Sequence, residues 1–377
     1  MKRERRVIWF FLCLLLCLLS GVLFLHDNVW ALIRFEDATY PELVTNSRAL
    51  AMGNAFISRA DDSSSPFYNP AGLGSVRGAH FHLSNFHVES NKDLISLTTG
   101  GSVFSVGSSV TKGLDLDGTR QLLLENRGRL AHARLNASPN LTTRYLSMGY
   151  LFSLQRRATI GQEDDAKFEF AFRQDHGPFW GLSLGLFGGV IKFGASVVYL
   201  DRKEIIDERD RNSVVKVQQQ EYRQGRAWIV TGGARVVFPF TWLPTISGNI
   251  HNMLSSEFSS MKSGPPDRIR ESIDVGFSLT PQLAKFVRVH LEANYKDATK
   301  KFPEVGATRR AMAGMELDLG RVLFLRVGYG DGFGSGGIGF RARTIEFDLA
   351  TYAVDTTSNE FRGKEDRRFA LTISAGI

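Results

Sequence analysis

Residues 286–295, FVRVHLEANY, alternate between apolar and polar side chains. On a β-strand the odd-numbered residues after Phe286 would form an apolar face, and Arg288, His290, Glu292 and Asn294 would form a polar one. A helix would distribute both sets around its axis. The stretch therefore predicts a β-strand with one apolar and one charged face.

The same two-residue period recurs at residues 167–173, 272–279, 315–319, 345–349 and 369–377. A soluble sandwich alternates too, but it turns its apolar face inward. Three features favour a membrane barrel instead: a secretory leader, a mature chain without cysteine, and strands of about ten residues, the length of a tilted membrane strand. We predict an all-β fold, a transmembrane antiparallel β-barrel of about 14 strands within a range of roughly 12 to 16.

The charged faces of these strands are expected to line the lumen. The predicted lumen-facing residues are Glu169, Arg173, Arg235, Asp274, Arg288, His290, Glu292, Glu316, Asp318, Glu346 and Asp348. Their signs are mixed, and charges inside a barrel must pair or stay hydrated. Such an interior argues against a wide ion pore of one sign. It indicates a narrow barrel closed by its own network.

The first 31 residues have the pattern of a secretory signal peptide. MKRERR carries four cations, residues 7–25 are uncharged, and Val29 and Ala31 are the small residues expected before a cut after Ala31. An uncleaved anchor helix is the alternative, because 19 apolar residues approach the ~20 that span a bilayer. Cys13 and Cys17 both lie in this leader, so a mature chain beginning at Leu32 has neither disulfides nor thiolate metal sites.

The charge balance excludes a nucleic-acid partner. The formal net charge is +7, and removing the leader's four cations and two acids leaves 42 basic and 37 acidic residues. These charges are interleaved along the chain, as on a solvated surface. Two polar insertions, residues 112–143 and 201–224, interrupt the strand rhythm and are expected to be extracellular connections, because periplasmic turns are short.

The segment before the first strand, residues 47–74, does not alternate. Ser47 is expected to cap a short helix, which Asp61 and Asp62 end. Pro66 and Pro70 restrict the backbone, so residues 67–72, FYNPAG, should form a defined turn.

The run RALAMGNAF at residues 48–56, the acidic pair at 61–62 and YNPAGL at 68–73 resemble the opening of FadL-like outer-membrane proteins. This family includes long-chain fatty-acid and aromatic-hydrocarbon transporters and the related PorV/PorQ-type barrels of protein secretion. Residues 244–254 and 325–352 are similar to later blocks of the family. The resemblance therefore covers nearly the whole mature chain.

The resemblance implies a plug at residues 32–76 inside a barrel of residues 77–377. The plug residues that it implies are Arg48, Met52, Gly53, Asn69, Pro70, Ala71 and Gly72. The more limited interpretation is that Asn69 and Pro70 only shape a turn against the barrel wall. The expected partners are outer-membrane lipid, a hydrophobic small-molecule ligand, the barrel-assembly machinery and, in the secretion branch, secreted proteins.

A leucine-rich part of the first insertion is a candidate surface for ligand capture. Its residues are Leu114, Leu116, Leu122, Leu123, Leu124 and Leu130, with Leu135 close by. They are too apolar for a merely solvated loop. The alternative is that these leucines pack the loop onto the rim of the barrel.

Sequence signals for enzyme or cofactor chemistry are weak. Gly332, Gly334 and Gly337 match a dinucleotide-binding pattern but link two strands, and residues 115–118, DLDG, lack the spacing of a calcium loop. The histidines at positions 80, 82 and 87 have no further placed ligand, and no local motif singles out a catalytic serine. We therefore predict no enzyme activity, no cofactor and no metal site.

Two functions remain open. The first is passage of a hydrophobic small molecule, of fatty-acid or hydrocarbon type, across the outer membrane. The second is a PorV/PorQ-type barrel that serves protein secretion or surface attachment. The sequence does not distinguish between them.

Overall fold

The computed structural model describes Asp37 and residues 39–40, 43–99, 115–357 and 361–376. The predicted signal peptide and Leu114 lie outside the described residues. In the described part of the chain, the helices are all too short or too polar to cross a membrane.

The body of the chain is a single antiparallel sheet of 17 strand segments. They are β1 (His80–Asn91), β2 (Leu130–Ala137), β3 (Asn140–Thr142), β4 (Leu146–Ile160), β5 (Phe168–Leu186), β6 (Ile191–Arg209), β7 (Arg223–Val237), β8 (Thr245–His251), β9 (Ser259–Lys262), β10 (Ser272–Leu279), β11 (Gln282–Ala284), β12 (Val287–Tyr295), β13 (Ala311–Leu319), β14 (Leu323–Gly330), β15 (Phe333–Arg341), β16 (Ile345–Asp355) and β17 (Glu365–Gly376).

Three pairs of segments each occupy one strand position. β2 and β3 both lie between β1 and β4, β8 and β9 both pair with β7, and β10 and β11 both pair with β12. The sheet closes because β1 pairs with β17 as well as with β2. The result is a closed barrel of 14 strands, which confirms the predicted fold class.

The two faces of the sheet differ as the alternation predicts. Large apolar side chains on the outer face are exposed, for example Leu182 at 61% and Phe277 at 46%, whereas Arg202 and Arg368 on the inner face are fully buried. A soluble protein would show the opposite arrangement. A barrel that is apolar outside and charged inside spans a membrane.

One end of the barrel has short connections, such as residues 320–322 and 342–344, and the other has the long ones at 92–129, 210–222 and 296–310. Long connections identify the extracellular end. The predicted insertion limits were wrong. Residues 130–142 form the second strand position and residues 201–209 belong to β6. Their inward side chains are polar, which made these strands look like loops.

Helical segments are few. They are α1 (Ser47–Ala51), α2 (Ser65–Tyr68), α3 (Lys92–Thr99) and α4 (Leu116–Leu124), with 3-10 turns at Pro70–Ser75, Phe187–Gly189 and Gln219–Glu221. The cap of α1 is Asn46, whose side chain accepts a hydrogen bond from the backbone N–H of Arg48, so the prediction of Ser47 as the cap was wrong. Of the three glycines in the dinucleotide-like pattern, Gly332 lies in the turn and the other two lie in β15.

Candidate functional site

Residues 47–75, called the luminal segment below, lie inside the barrel. Toward the extracellular end, Asp37, which precedes this segment in the sequence, accepts hydrogen bonds from Arg157 on β4 and Arg368 on β17. At its other end, Ser75 accepts hydrogen bonds from Lys192 and Arg235, near the short connections. The chain therefore runs down the lumen before it enters the wall at β1.

Glycines on the inner face of the wall make room for this segment. A Cβ atom on Gly328 would lie 2.1 Å from the carbonyl carbon of Met52, and one on Gly194 would lie 2.2 Å from that of Pro70. Gly314 lies similarly close to the backbone of Met52, whereas a Cβ atom on Gly233 or Gly276 would meet the side chain of Asn69 or Ile57. Real Cβ atoms do not approach other atoms so closely. The wall is shaped to the backbone of the luminal segment.

Gly53 shows the same fit from the side of the segment. Its φ is +63°, and a Cβ atom would lie 2.5 Å from the carbonyl carbon of Tyr329 in β14. Glycine is thus required both for the left-handed backbone and for the close approach to the wall.

Arg48 carries the strongest polar contact between the segment and the wall. Its Nε and Nη2 donate to the two carboxylate oxygens of Glu316 at 2.8 and 2.9 Å, and Nη1 donates to Asp61 and Asp62. Glu316 also accepts a hydrogen bond from Arg326 of β14 at 2.7 Å. The two-point contact between Arg48 and Glu316 fixes the orientation of both side chains. Removing either partner would leave buried charge without this partner.

Asn69 organises the turn that the sequence singled out. Its side-chain oxygen accepts a hydrogen bond from Ala71 N–H, and its amide nitrogen donates to the carbonyl oxygen of Ile57. All seven residues predicted for the plug lie in the luminal segment and are buried: Arg48, Met52, Gly53, Asn69, Pro70, Ala71 and Gly72. Their part in closing the passage stays a prediction.

The residues predicted to face the lumen lie on the inner faces of their strands. Arg173, Arg235, Asp274, His290, Glu292, Glu316 and Asp318 are buried, and Glu169, Arg288, Glu346 and Asp348 are half-buried. Three of them contact the luminal segment: Glu316, Arg235, and Glu292, which accepts a hydrogen bond from Ser58 N–H at 2.7 Å. The other predicted residues lie on the inner face of the wall, and several of them form hydrogen bonds with neighbouring wall residues.

Several inner charges were missed by the sequence reasoning. Arg202 pairs with Asp175 across β5 and β6 at 2.7 Å, and Arg368 is buried between Asp37, Asp366 and Glu89. The two-residue period could have identified the charged residues that lie on strands, because each of them lies an even number of residues from other inward-facing residues of its strand. Charges of both signs therefore fill the lumen in pairs.

A cavity of about 100 Å³ remains between the luminal segment and the wall. Much of its lining is apolar, including Ile57, Phe67, Val198, Ile229 and Met312. Polar side chains and residues of the extracellular connections, such as Phe302, complete it. The cavity therefore lies toward the extracellular end.

The wall ladder is irregular beside the luminal segment. β1 shifts register around Leu83, and residues 138–139 separate β2 from β3 on the neighbouring strand. Asn85 spans this region, since its side-chain amide donates to Ser63 of the luminal segment and to Ser138 of the wall. A Cβ atom on Gly149 would lie 2.4 Å from the carbonyl oxygen of Pro139, so the bulge bends toward the interior.

The leucines predicted for ligand capture lie mostly on α4, outside the barrel. Leu123 is fully buried against Phe168 and Phe170, and Leu116, Leu122 and Leu124 pack around the same cluster. This corresponds to the alternative in which the leucines pack onto the rim. Placing Leu130 in a loop was wrong, because it begins β2, and Leu135 is an outward-facing residue of the same strand.

Polar contacts fix α4 in place. Asp115 caps it through Gly118 N–H, and a hydrogen bond from Arg120 at 2.8 Å lowers the pKa of the Asp117 carboxyl. Asp117 also accepts a hydrogen bond from Val215 N–H of the next long connection. Among the described residues, no group of His, Cys, Asp or Glu side chains is arranged to hold a metal ion.

No family profile matches the chain. No curated protein matches it either. Solved structures of outer-membrane barrels do show similarity. A "TodX monoaromatic hydrocarbon channel deltaS2 mutant" has 10% identity, a TM-score of 0.47, and coverage of 88% of this chain and 97% of its own.

The toluene transporter TodX of Pseudomonas putida is 10% identical with a TM-score of 0.41, covering 90% of this chain and 99% of its own. A FadL homologue of Pseudomonas aeruginosa is 9% identical with a TM-score of 0.29, covering 89% and 99%. The identities and TM-scores are low, and the likeness concerns the barrel fold. The chain is similar to barrels of the FadL type, the group whose motifs its sequence resembles.

Proposed function

We propose that this protein mediates the passage of a hydrophobic small molecule across the outer membrane. The observation that carries the proposal is the cavity between the luminal segment and the wall, whose surface is more apolar than polar although charged side chains such as Asp37, Arg270 and Asp274 also line it. Transfer of an apolar molecule from water into such a site is favourable because it removes apolar surface from water. Hydrated ions would find paired charges instead of an open path.

The proposed route begins at the extracellular end, where the cavity borders the long connections. The luminal segment separates the cavity from the periplasmic end. The ligand leaves either past this segment or through the wall near Leu83 and Pro139, where the strand ladder is irregular. A hydrophobic ligand that left through the wall would enter the apolar phase of the membrane without crossing water.

The proposal is tested with mature full-length protein in proteoliposomes. Entry of toluene or a medium-chain fatty acid is followed by a fluorescent reporter inside the vesicles, with protein-free vesicles as the baseline. We expect faster entry with the protein, and conductance for K⁺ near the baseline. Equal entry rates in both preparations would count against transport.

A second candidate function is a role in protein secretion or surface attachment. It is supported by two strands that are much longer than the others compared with them. β5 and β6 have 19 residues each, against 8 to 11 in β12 to β16, and their extracellular parts carry α3 and α4 on the outside. Such a wall offers a folded surface above the membrane. Purification from native membranes with a stoichiometric protein partner, and no effect on solute entry, would favour this candidate.

A further inference from the structure

Two side-chain amides in the cavity have unused hydrogen-bonding capacity. Asn294 of β12 is 6% exposed, and neither its amide nitrogen nor its oxygen has a hydrogen-bond partner among the described residues. Asn54 of the luminal segment is 7% exposed, and its side-chain oxygen is unpartnered while its nitrogen donates to the carbonyl oxygen of Thr39. Both residues line the cavity.

The local geometry places Asn294 for contact with a ligand. It is paired with Gly276 across β10 and β12, and a Cβ atom on Gly276 would lie 2.3 Å from the Asn294 oxygen and 2.8 Å from a side-chain carbon of Ile57. Because Gly276 has no side chain, the amide of Asn294 and the apolar side chain of Ile57 can both lie over it. A ligand at this point would meet hydrogen-bonding groups and apolar surface together.

The charged side chains of the cavity lining are already engaged. Asp37 pairs with Arg157 and Arg368, Asp274 lies 3.3 Å from His251, and Arg270 pairs with Glu304 at 2.6 Å. Arg134 and Lys296 also have interactions of their own. The unused capacity of the site is therefore that of neutral groups, the two amides and the hydroxyl of Tyr68, which suits an uncharged donor and acceptor.

The cavity size limits the apolar part of the ligand. Its volume of about 100 Å³ is of the order of the roughly 150 Å³ cavity that holds one benzene molecule. A plain hydrocarbon would fill the apolar part but leave the buried amides unpaired, and unpaired buried polar groups weaken binding.

We propose that the cavity binds a small uncharged amphiphile, with an apolar body of about one ring and a hydroxyl or carboxamide head that bonds to Asn294 and Asn54. This rests on the proposed function, and it selects a ligand class within it. Asn294 is the side chain that distinguishes the amphiphile from the hydrocarbon of the same shape.

The experiment is calorimetric titration of the mature full-length protein in detergent with four one-ring compounds: toluene, phenol, benzamide and benzoate. Toluene and phenol differ only by a methyl in place of a hydroxyl group. We expect phenol and benzamide to bind at least about tenfold more tightly than toluene, and benzoate to bind more weakly than phenol. The variant N294L, which keeps the volume and removes the amide, should bring the phenol-to-toluene ratio close to one.

The matched control is N136L, because Asn136 is equally buried on an inner face but lies outside the cavity, bonded to Thr45 and Ser153. Its ratio should stay that of the native protein. Heat-modifiable gel migration reports folding, and N294S replaces N294L should the latter not fold, with a reduced ratio expected.

Three results would overturn the inference. They are equal binding of phenol and toluene by the native protein, a ratio unchanged in N294L, and tightest binding of benzoate. Each of these leaves passage of hydrophobic molecules standing. Failure of all four compounds to bind would instead count against the proposed function as well.

Discussion

Helical segments pack against both sides of this barrel wall, and the contacts that tie them to the wall differ. Inside, the luminal segment packs apolar side chains against the wall, and it is fixed in addition by directional contacts, such as the bidentate pair of Arg48 with Glu316, and by wall glycines that fit its backbone. Outside, α3 and α4 cover Phe168 and Phe170 with apolar side chains. Among the described residues, the hydrogen bonds of α4 with other segments go to a neighbouring connection, as from Val215 N–H to Asp117, and not to the strands that it covers. Directional contacts fix one position, whereas apolar packing tolerates adjustment. The inner attachment is therefore the one built for precise placement.

Deleting residues 32–74 should have the largest effect, because it removes the inner attachment entirely. The strand ladder closes without these residues, since β1 pairs with β17 and β2. We expect a folded, heat-resistant barrel that conducts ions in planar bilayers, in contrast to the closed full-length protein. A truncated barrel that inserts normally and conducts no more than the full-length chain would contradict the assignment of this segment as a plug.

The substitution R48M tests the inner attachment with a single side chain. Methionine keeps much of the length but leaves Glu316, Asp61 and Asp62 without this partner. Breaking a buried ion pair costs about 3–5 kcal/mol, so the segment should leave its site more often. Brief conductance steps in single-channel recordings would report this.

The double variant R48M with E316Q provides the control for R48M. In R48M, Glu316 keeps Arg326 and Arg59 as partners, but the site has one positive charge fewer beside Asp61 and Asp62. The change E316Q removes one negative charge from the same site, and we expect the double variant to recover part of the closed state. If R48M and the native protein gave the same single-channel recordings, the ion pair of Arg48 would not be needed to hold the segment against the wall glycines.

The sequence predicted which residues of the inner attachment face the lumen, but not which of the charged ones pair. The alternation at residues 286–295 predicted the inner face correctly, because a period of two assigns each side chain to one side. Ion pairs such as Arg202 with Asp175 were missed, since pairing depends on strand register and on which inward positions meet. Register is set by the closed sheet as a whole.

The outer attachment was harder to predict. Phe168, Phe170 and Phe172 have the alternation of lipid-facing residues, and nothing local shows that α4 covers them. β5 has 19 residues, more than a tilted strand needs to span a bilayer, but the alternating pattern identified only its beginning, at residues 167–173. The leucines of α4 consequently suggested a ligand surface as readily as a packed one.

The substitution L123A tests the outer attachment. Leu123 is fully buried in the apolar cluster, and removing such a side chain costs about 2–5 kcal/mol. Because the cluster lies outside the barrel, we expect faster protease cleavage near α4, with heat resistance and conductance unchanged. Channel opening in L123A would show that the outer helices also control the lumen.

We expect the smallest effect from G328V, for which G334V is the control variant. Both glycines lie in β-strands, but a Cβ atom on Gly328 would lie 2.1 Å from the carbonyl carbon of Met52, whereas one on Gly334 would meet nothing within 4 Å. Overpacking of a fitted contact costs about 1–3 kcal/mol, and the luminal segment can yield more easily than the closed sheet because it is not part of the strand ladder. We therefore expect G328V to open occasionally, less often than R48M, while G334V stays closed and both barrels remain equally heat-resistant. Similar recordings for the two valine variants would show that the wall glycines serve strand assembly and not the fit of the segment.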